Sequence, residues 1–244
     1  MTQPLQQRIN YHPDPRSVKN SDRKVMSRLT FITSKVDFKD KVVLDLGCSG
    51  GFFAFELSKV AKKVIAVDGD PEIIKRNRAL QKEMAITNIE FISSEISSDT
   101  IEAIGEVDIT LFLSVFHHML TASDAYDWNF GVNSDDIDKM LSTLNQNTST
   151  LVFEMGEVNE GYEWCERMPQ DSLDNKNFVI EKVFQGAFTD VDVYNRLQNI
   201  NFINASIVSK LGRAFKRDTR IISIIKRLSQ FDSRDLRKIY IGKK

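Results

Sequence analysis

The sequence predicts an α/β fold, a mostly parallel sheet with helices on both faces. Three observations carry this. First, an apolar strand, Val42-Val43-Leu44-Asp45-Leu46, runs into a small-residue turn, Gly47-Cys48-Ser49-Gly50-Gly51, and then into a helical pattern beginning at Phe52 and Phe53. Second, about twenty residues on, Val64-Ile65-Ala66-Val67-Asp68 forms another short apolar strand that ends in a carboxylate, the spacing of a βαβ unit. Third, strand-like and helical patterns keep alternating as far as residue 155, which argues for parallel strands joined by crossover helices.

The elements follow in order. Residues 1–16 read as irregular, because Pro13 and Pro15 in Tyr11-His12-Pro13-Asp14-Pro15-Arg16 restrict the backbone. That segment suits a lid, and residues 17–35 suit a helix with Val18, Val25, Met26, Leu29 and Ile32 on one side. Strands are expected over 41–46, 63–68, 89–92, 107–113 and 150–155, and helices over 52–60, 71–85, 97–104 and 135–144. Asp70 is a natural N-cap, with Pro71 at the first helical position. Residues 156–188 form an insertion above the carboxyl edge of the sheet, where selectivity usually resides. Asp190 can cap a helix through residue 200, and 202–209 and 219–226 are β-rich. The organisation expected is a lid segment and helix over 1–35, a domain over 36–230, and a polar, basic tail over 231–244.

The turn at Gly47–Gly51 is a device for bringing backbone close to a ligand. Glycines remove the side chains that would block approach, and a helix N-terminus offers unpaired N–H groups. With Asp70 occupied as a cap, Asp68 is left to accept hydrogen bonds from both hydroxyls of a ribose. Right-handed crossovers put the strand ends bearing Gly47, Asp68, Glu95 and Ser114 along one edge. Leu113-Ser114-Val115-Phe116-His117-His118 brings two histidines to that same edge. Imidazole has the unperturbed pKa best suited to taking a hydroxyl proton near neutrality.

Asp45-x-Gly47-x-Ser49-x-Gly51 followed by Val67-Asp68 resembles the cofactor site of class I S-adenosylmethionine-dependent methyltransferases, over roughly residues 40–155. Ser49 departs from the commonest glycine pattern at the second position. The resemblance implies a Rossmann-like fold, a mostly parallel seven-stranded sheet closed by a C-terminal antiparallel hairpin, which 202–209 and 219–226 would supply. It implies S-adenosyl-L-methionine as cofactor. Backbone near Gly47, Ser49 and Gly51 approaches its methionine part. Asp45 orders the turn or holds the ammonium through water. Asp68 takes the ribose, and Glu95 the adenine amino group, with Ile96 against the ring. Ser114 offers its carbonyl to the ammonium. His117 or His118 stands beside the transferred methyl, with His117 preferred because it follows the strand more closely; Glu154 is a competing base or the orienter of the histidine.

Leu44-Asp45-Leu46-Gly47-Cys48, Gly51-Phe52-Phe53, Leu113 to His118, and the strand-five acid Glu154 followed by the aromatic pair Tyr162 and Trp164 also resemble something narrower. This is the methyltransferase module of the kinase–methyltransferases that terminate bacterial O-antigen polysaccharides, in which the methyl goes to a terminal sugar or its phosphate. The acceptor expected is a small molecule or glycan; arginine forks would suit an anionic one, and a solvated turn is the other reading of the basic residues 213–217. Tyr162, Trp164, Arg167, Arg213, Lys216 and Arg217 are the residues expected to meet it. An RNA or tRNA methyltransferase and a non-catalytic cofactor-binding scaffold are the alternatives.

Composition narrows the classes. A net charge of −1 across 244 residues gives no global pull toward nucleic acid or anionic membrane. Two cysteines, Cys48 and Cys165, cannot make a disulfide scaffold, so reduced thiols and a cytoplasmic location are expected. The N-terminal stretch has no apolar signal core, and the longest apolar run, 109–116, is far short of a membrane span. His12, His117 and His118 lack partners at zinc-site spacing, so no metal is expected.

Overall fold

A computed structural model of the chain describes Arg16 and residues 25–120, 134–156, 179–195 and 237–244. Helix α1 (Val25–Lys35) leads into β1 (Val42–Leu46), α2 (Phe52–Leu57), β2 (Lys63–Asp68), α3 (Pro71–Glu83) and β3 (Ile89–Ser93). Then come α4 (Ser98–Ile104), β4 (Val107–Leu113), α5 (Phe116–Leu120), α6 (Ser134–Asn147) and β5 (Thr148–Glu154). A π-helical turn (Val179–Phe184), β6 (Asp190–Asn195) and β7 (Lys238–Lys243) complete the described chain.

The seven strands form one sheet in the order β3-β2-β1-β4-β5-β7-β6. β1 to β5 are parallel, and β7 runs antiparallel between β5 and β6. This is the class I methyltransferase topology. The strand order reverses between β1 and β4, so the crevice at their carboxyl ends is the topological switch point where ligands bind in such sheets.

Successive side chains of a strand point to opposite faces, and here both faces are covered. Leu44, Leu46, Ile65, Val67, Phe112 and Phe153 pack with α5 and α6 on one side. Val43, Val64, Ala66, Ile109, Leu111 and Val152 pack with α1, α2 and α3 on the other. Burial on both faces is why these strands read as continuous apolar runs. Local signals agree: Asp70 Oδ1 accepts from the N–H groups of Glu72 and Ile73, and Ser97 caps α4 by accepting from the Thr100 N–H.

Three expectations are corrected. Residues 190–195 form strand β6, not the start of a helix. Asp190-Val191-Asp192-Val193-Tyr194 alternates polar and apolar with a period of two, and pairing with β7 outweighs the N-cap signal of Asp190. The closing hairpin is therefore built from β6 and β7, while 202–209 and 219–226 lie outside the described residues. Within the expected tail, residues 238–243 are a buried strand: Ile239, Tyr240 and Ile241 are all in the core. The other described boundaries move by a few residues, the usual scatter at element ends, while the expected lid apart from Arg16, residues 17–24 of the first expected helix and residues 157–178 of the expected insertion lie outside the described residues.

Candidate functional site

The turn after β1 is stitched to β2. The N–H groups of Gly47 and Cys48 both donate to the Val67 carbonyl at 2.9 Å, and the Gly51 N–H donates to the Cys48 carbonyl at 2.9 Å. Gly47 has a φ of 72°, and a Cβ there would lie 2.2 Å from Val115 Cγ2, so the turn comes against the segment that follows β4. Gly51 is also left-handed, with a φ of 80°, and a Cβ on it would press on Phe55 at 2.9 Å and Asn77 at 3.3 Å. Only glycine meets both demands at these positions.

Two acids face this turn. Asp68 ends β2 with Oδ2 accepting from the Ser49 N–H at 2.8 Å and Oδ1 from the Asp70 N–H at 3.0 Å. Burial pushes its carboxyl up, and the two amide bonds oppose that shift. Each oxygen keeps lone-pair capacity for a further donor. Asp45, in β1, is buried, and its Oδ2 has no hydrogen-bond partner. Burial, with the nearby Asp68 second, raises its pKa to about 7, and Arg28 opposes the rise. A buried carboxylate with an orphan oxygen fits a cationic ligand, which would lower that pKa by supplying the missing partner. The residues present therefore suit a cofactor carrying an ammonium and a ribose.

Further along the edge, the Ser94 N–H donates to the Asp68 carbonyl at 3.1 Å. Glu95 is exposed, its carbonyl accepting from Thr100 Oγ1 at 2.9 Å, and Ile96 is buried in the core.

At the ends of β4 and β5 lies a buried polar cluster. Ser114 has a φ of 63°, uncommon for a residue with a side chain. Its N–H donates to the Glu154 carbonyl at 2.7 Å, and its hydroxyl donates to Glu154 Oε1 at 2.6 Å while accepting from Arg237 Nη1 at 2.8 Å. Glu154 is fully buried, with Arg28 Nε 3.6 Å from Oε2 and Arg237 Nη1 3.6 Å from Oε1. Arg28 reaches this point from α1, with its guanidinium over the Phe53 ring.

The two histidines differ. His117 is buried, and its Nδ1 accepts from the Gly156 N–H at 3.1 Å. Burial first, then His118 and Arg237, hold its pKa well below the usual value. With Nδ1 an acceptor, the proton of the neutral ring belongs on Nε2, which makes that atom a donor. This geometry works against the preference for His117 as proton acceptor. His118 is partly exposed and stacks on His117 with ring centroids 4.1 Å apart.

The edge thus carries Asp45, Gly47, Ser49, Gly51, Asp68, Glu95, Ser114, His117, His118 and Glu154 on neighbouring strand ends. Tyr162, Trp164, Arg167, Arg213, Lys216 and Arg217 lie outside the described residues. Arg28, Arg237 and Asn77 were not foreseen. Asn77 left a signal: it interrupts the apolar stripe Ile73, Ile74, Leu80 of α3. Among the described residues, no helix is long and apolar enough to cross a membrane.

The profile of a family described as "Methyltransferase domain" matches residues 37–182. The O-antigen chain terminator bifunctional methyltransferase/kinase WbdD of Escherichia coli is 31% identical over 152 residues, covering 59% of this chain and 20% of that protein. The match thus spans only a fifth of that relative's length. A ubiquinone biosynthesis O-methyltransferase of Xanthomonas oryzae is 24% identical over 92 residues, 38% of each chain. Among solved structures, a 2.2 Å crystal structure of WbdD superposes with a TM-score of 0.56 at 26% identity, covering 72% of this chain and 38% of that one. Coclaurine N-methyltransferase bound to N-methylheliamine and SAH gives a TM-score of 0.53 at 15% identity, covering 93% of this chain and 75% of that one, a likeness of fold alone. With residues 37–182 matched and the sheet in this order, the chain belongs to the methyltransferase domain family and contains an S-adenosylmethionine-dependent methyltransferase domain.

Proposed function

We propose that the protein is an O-methyltransferase acting on a saccharide hydroxyl or phosphate oxygen in the synthesis of a bacterial surface polysaccharide. The observation that carries this reading is the 31% identity, over 152 residues, to a protein named for O-antigen chain termination. The resemblance of Ser114-Val115-Phe116-His117-His118 to the corresponding strand end of such enzymes supports it.

When bound, the cofactor supplies a methyl group activated by a sulfonium, so the protein's task is to bind, align and manage a proton. Asp68 accepts the ribose hydroxyls with the lone pairs left over from the Ser49 and Asp70 amides. Asp45 answers the ammonium, directly or through water, and the bare backbone of Gly47 and Gly51 admits the methionine part. The carbonyl of Ser114 is directed by the backbone turn that Glu154 and Arg237 hold. Glu95 receives the adenine amino group, with Ile96 beneath it.

On the acceptor side, His118 is the base for a hydroxyl acceptor, and His117 buttresses it while hydrogen-bonded to the β5 end. Glu154 acts by positioning Ser114. A phosphate acceptor carries its own charge and needs no base. Tyr162, Trp164, Arg167, Arg213, Lys216 and Arg217, which lie outside the described residues, are the proposed acceptor contacts.

The test is transfer of labelled methyl from the cofactor into separate pools: hydroxyl-terminated saccharides, phosphate-terminated saccharides, small phenols and RNA. Mass spectrometry should find the label on one of the saccharide pools. Label in RNA or phenols alone would overturn the acceptor assignment.

A further inference from the structure

Ser49 stands in the cofactor turn where the family most often has glycine, and it adopts a left-handed backbone with a φ of 52°. A side chain disfavours that conformation, so something must hold it. Both peptide groups of Ser49 are tied. Its N–H donates to Asp68 Oδ2 at 2.8 Å, and its carbonyl accepts from Asn77 Nδ2 at 2.8 Å.

Asn77 is the less expected of the two anchors. It lies on α3, fully buried, on the stripe otherwise made of Ile73, Ile74 and Leu80. Its Oδ1 has no hydrogen-bond partner. Packing alone would favour a leucine here, because a buried amide oxygen left unsatisfied is costly. The bond to the Ser49 carbonyl accounts for an amide at this place. The same Nδ2 would lie 3.3 Å from a Cβ at Gly51, so the amide sits close to the turn at that residue as well, on the side glycine leaves bare.

We propose that Asn77 is a positioning residue for the cofactor, a brace that replaces the conformational freedom lost when serine occupies the second glycine position. The inference rests on the cofactor lying at this turn. Without the brace, the turn samples other conformations, and apparent affinity falls in proportion to the competent fraction that remains. Glycine at position 49 removes the need for the brace, because glycine adopts a positive φ freely.

The test is a double-mutant cycle on the full chain, with calorimetry of S-adenosylhomocysteine binding and thermal unfolding of each variant. Asn77→Leu should weaken binding about tenfold in the wild-type background and less than about threefold in the Ser49→Gly background. If Asn77→Leu unfolds the protein instead, Ser49→Gly should restore most of the lost melting temperature. Equal losses in both backgrounds, in affinity or in melting temperature, would show that Asn77 only supports α3 and would overturn the inference. Asp68→Ala separates the underlying assumption. If neither Asp68→Ala nor Asn77→Leu alters binding, the cofactor lies elsewhere. If only Asp68→Ala does, the turn is the site and the brace is wrong.

Discussion

The N–H of Gly156, just beyond β5, donates to Nδ1 of His117, just beyond β4, at 3.1 Å. This one bond fixes the tautomer of a buried ring and joins the two strand ends that border the proposed acceptor site. It divides the roles of two adjacent histidines that the sequence alone cannot separate.

If the acceptor is a hydroxyl, His118→Ala should lower turnover by roughly 10²–10⁴-fold, the usual contribution of a general base, with cofactor affinity nearly unchanged. His117→Ala should instead reduce stability as well as rate. The sign for His117 is set by its depressed folded-state pKa: the neutral ring is favoured in the folded protein, and stability is lost as pH falls below about 6.5, where the unfolded chain takes up the proton. Steady-state kinetics and pH-dependent urea melts of the two variants check this. Full turnover by His118→Ala on a hydroxyl acceptor would sink the assignment.

Asp68→Ala should weaken cofactor binding at least tenfold, about 1.4 kcal/mol or more. In the proposed binding mode it removes charge-assisted bonds to the ribose, and it releases the Ser49 and Asp70 amides together. Calorimetry reads this directly, and unchanged affinity would take Asp68 out of the site.

Asp45 predicts a pH dependence. Its folded pKa is raised to about 7 from the model-compound value of 3.8, so the ligand-free protein holds a proton there below neutrality. A cationic cofactor favours the ionised form, and binding must therefore release protons. Affinity should rise with pH up to about 7, by at most about tenfold per unit, and Asp45→Asn should flatten the slope. Calorimetry in buffers of different ionisation enthalpy counts the protons. Without cofactor, the same shift makes folded-state stability fall as pH rises from 3.8 toward 7.

Glu154→Gln removes the carboxylate shared by Arg28 and Arg237 while preserving shape. Taking one partner from a buried ion pair costs on the order of 3 kcal/mol or more. Denaturant unfolding should show a loss of that size. A loss under about 1 kcal/mol would mean these charges behave like a solvent-screened pair.

The parallel half of the sheet was legible because its signals are local. Gly47 and Gly51 mark a turn, Asp70-Pro71 starts α3, and doubly covered strands read as apolar runs. Strand β6 reads as a helix start because Asp190 is a good N-cap, and the short period-two alternation after it prevails only through pairing with β7, far along the chain. Strand β7 was missed because Lys238, Lys243 and Lys244 give the segment a polar look that hides Ile239, Tyr240 and Ile241. The proposed cofactor residues followed from the same local logic. The cluster around Glu154 did not, since Arg28, Ser114 and Arg237 meet only once α1, β4 and β7 have been assembled.

That assembly has an order imposed by the chain. β1 with β2, and β2 with β3, pair across a single intervening helix, whereas Phe153 must wait for Tyr240. Contacts between residues so far apart form slowly, because the loop between them must close first. A nascent chain emerging from the ribosome can therefore complete the cofactor turn while the side of β5 that β7 will cover still stands open. Glu154 then lacks Arg237, which arrives with β7. During that interval the exposed strand is a template for pairing with other chains, so chaperone dependence and inclusion-body formation should track the delivery of this late strand rather than the quality of the glycine turn.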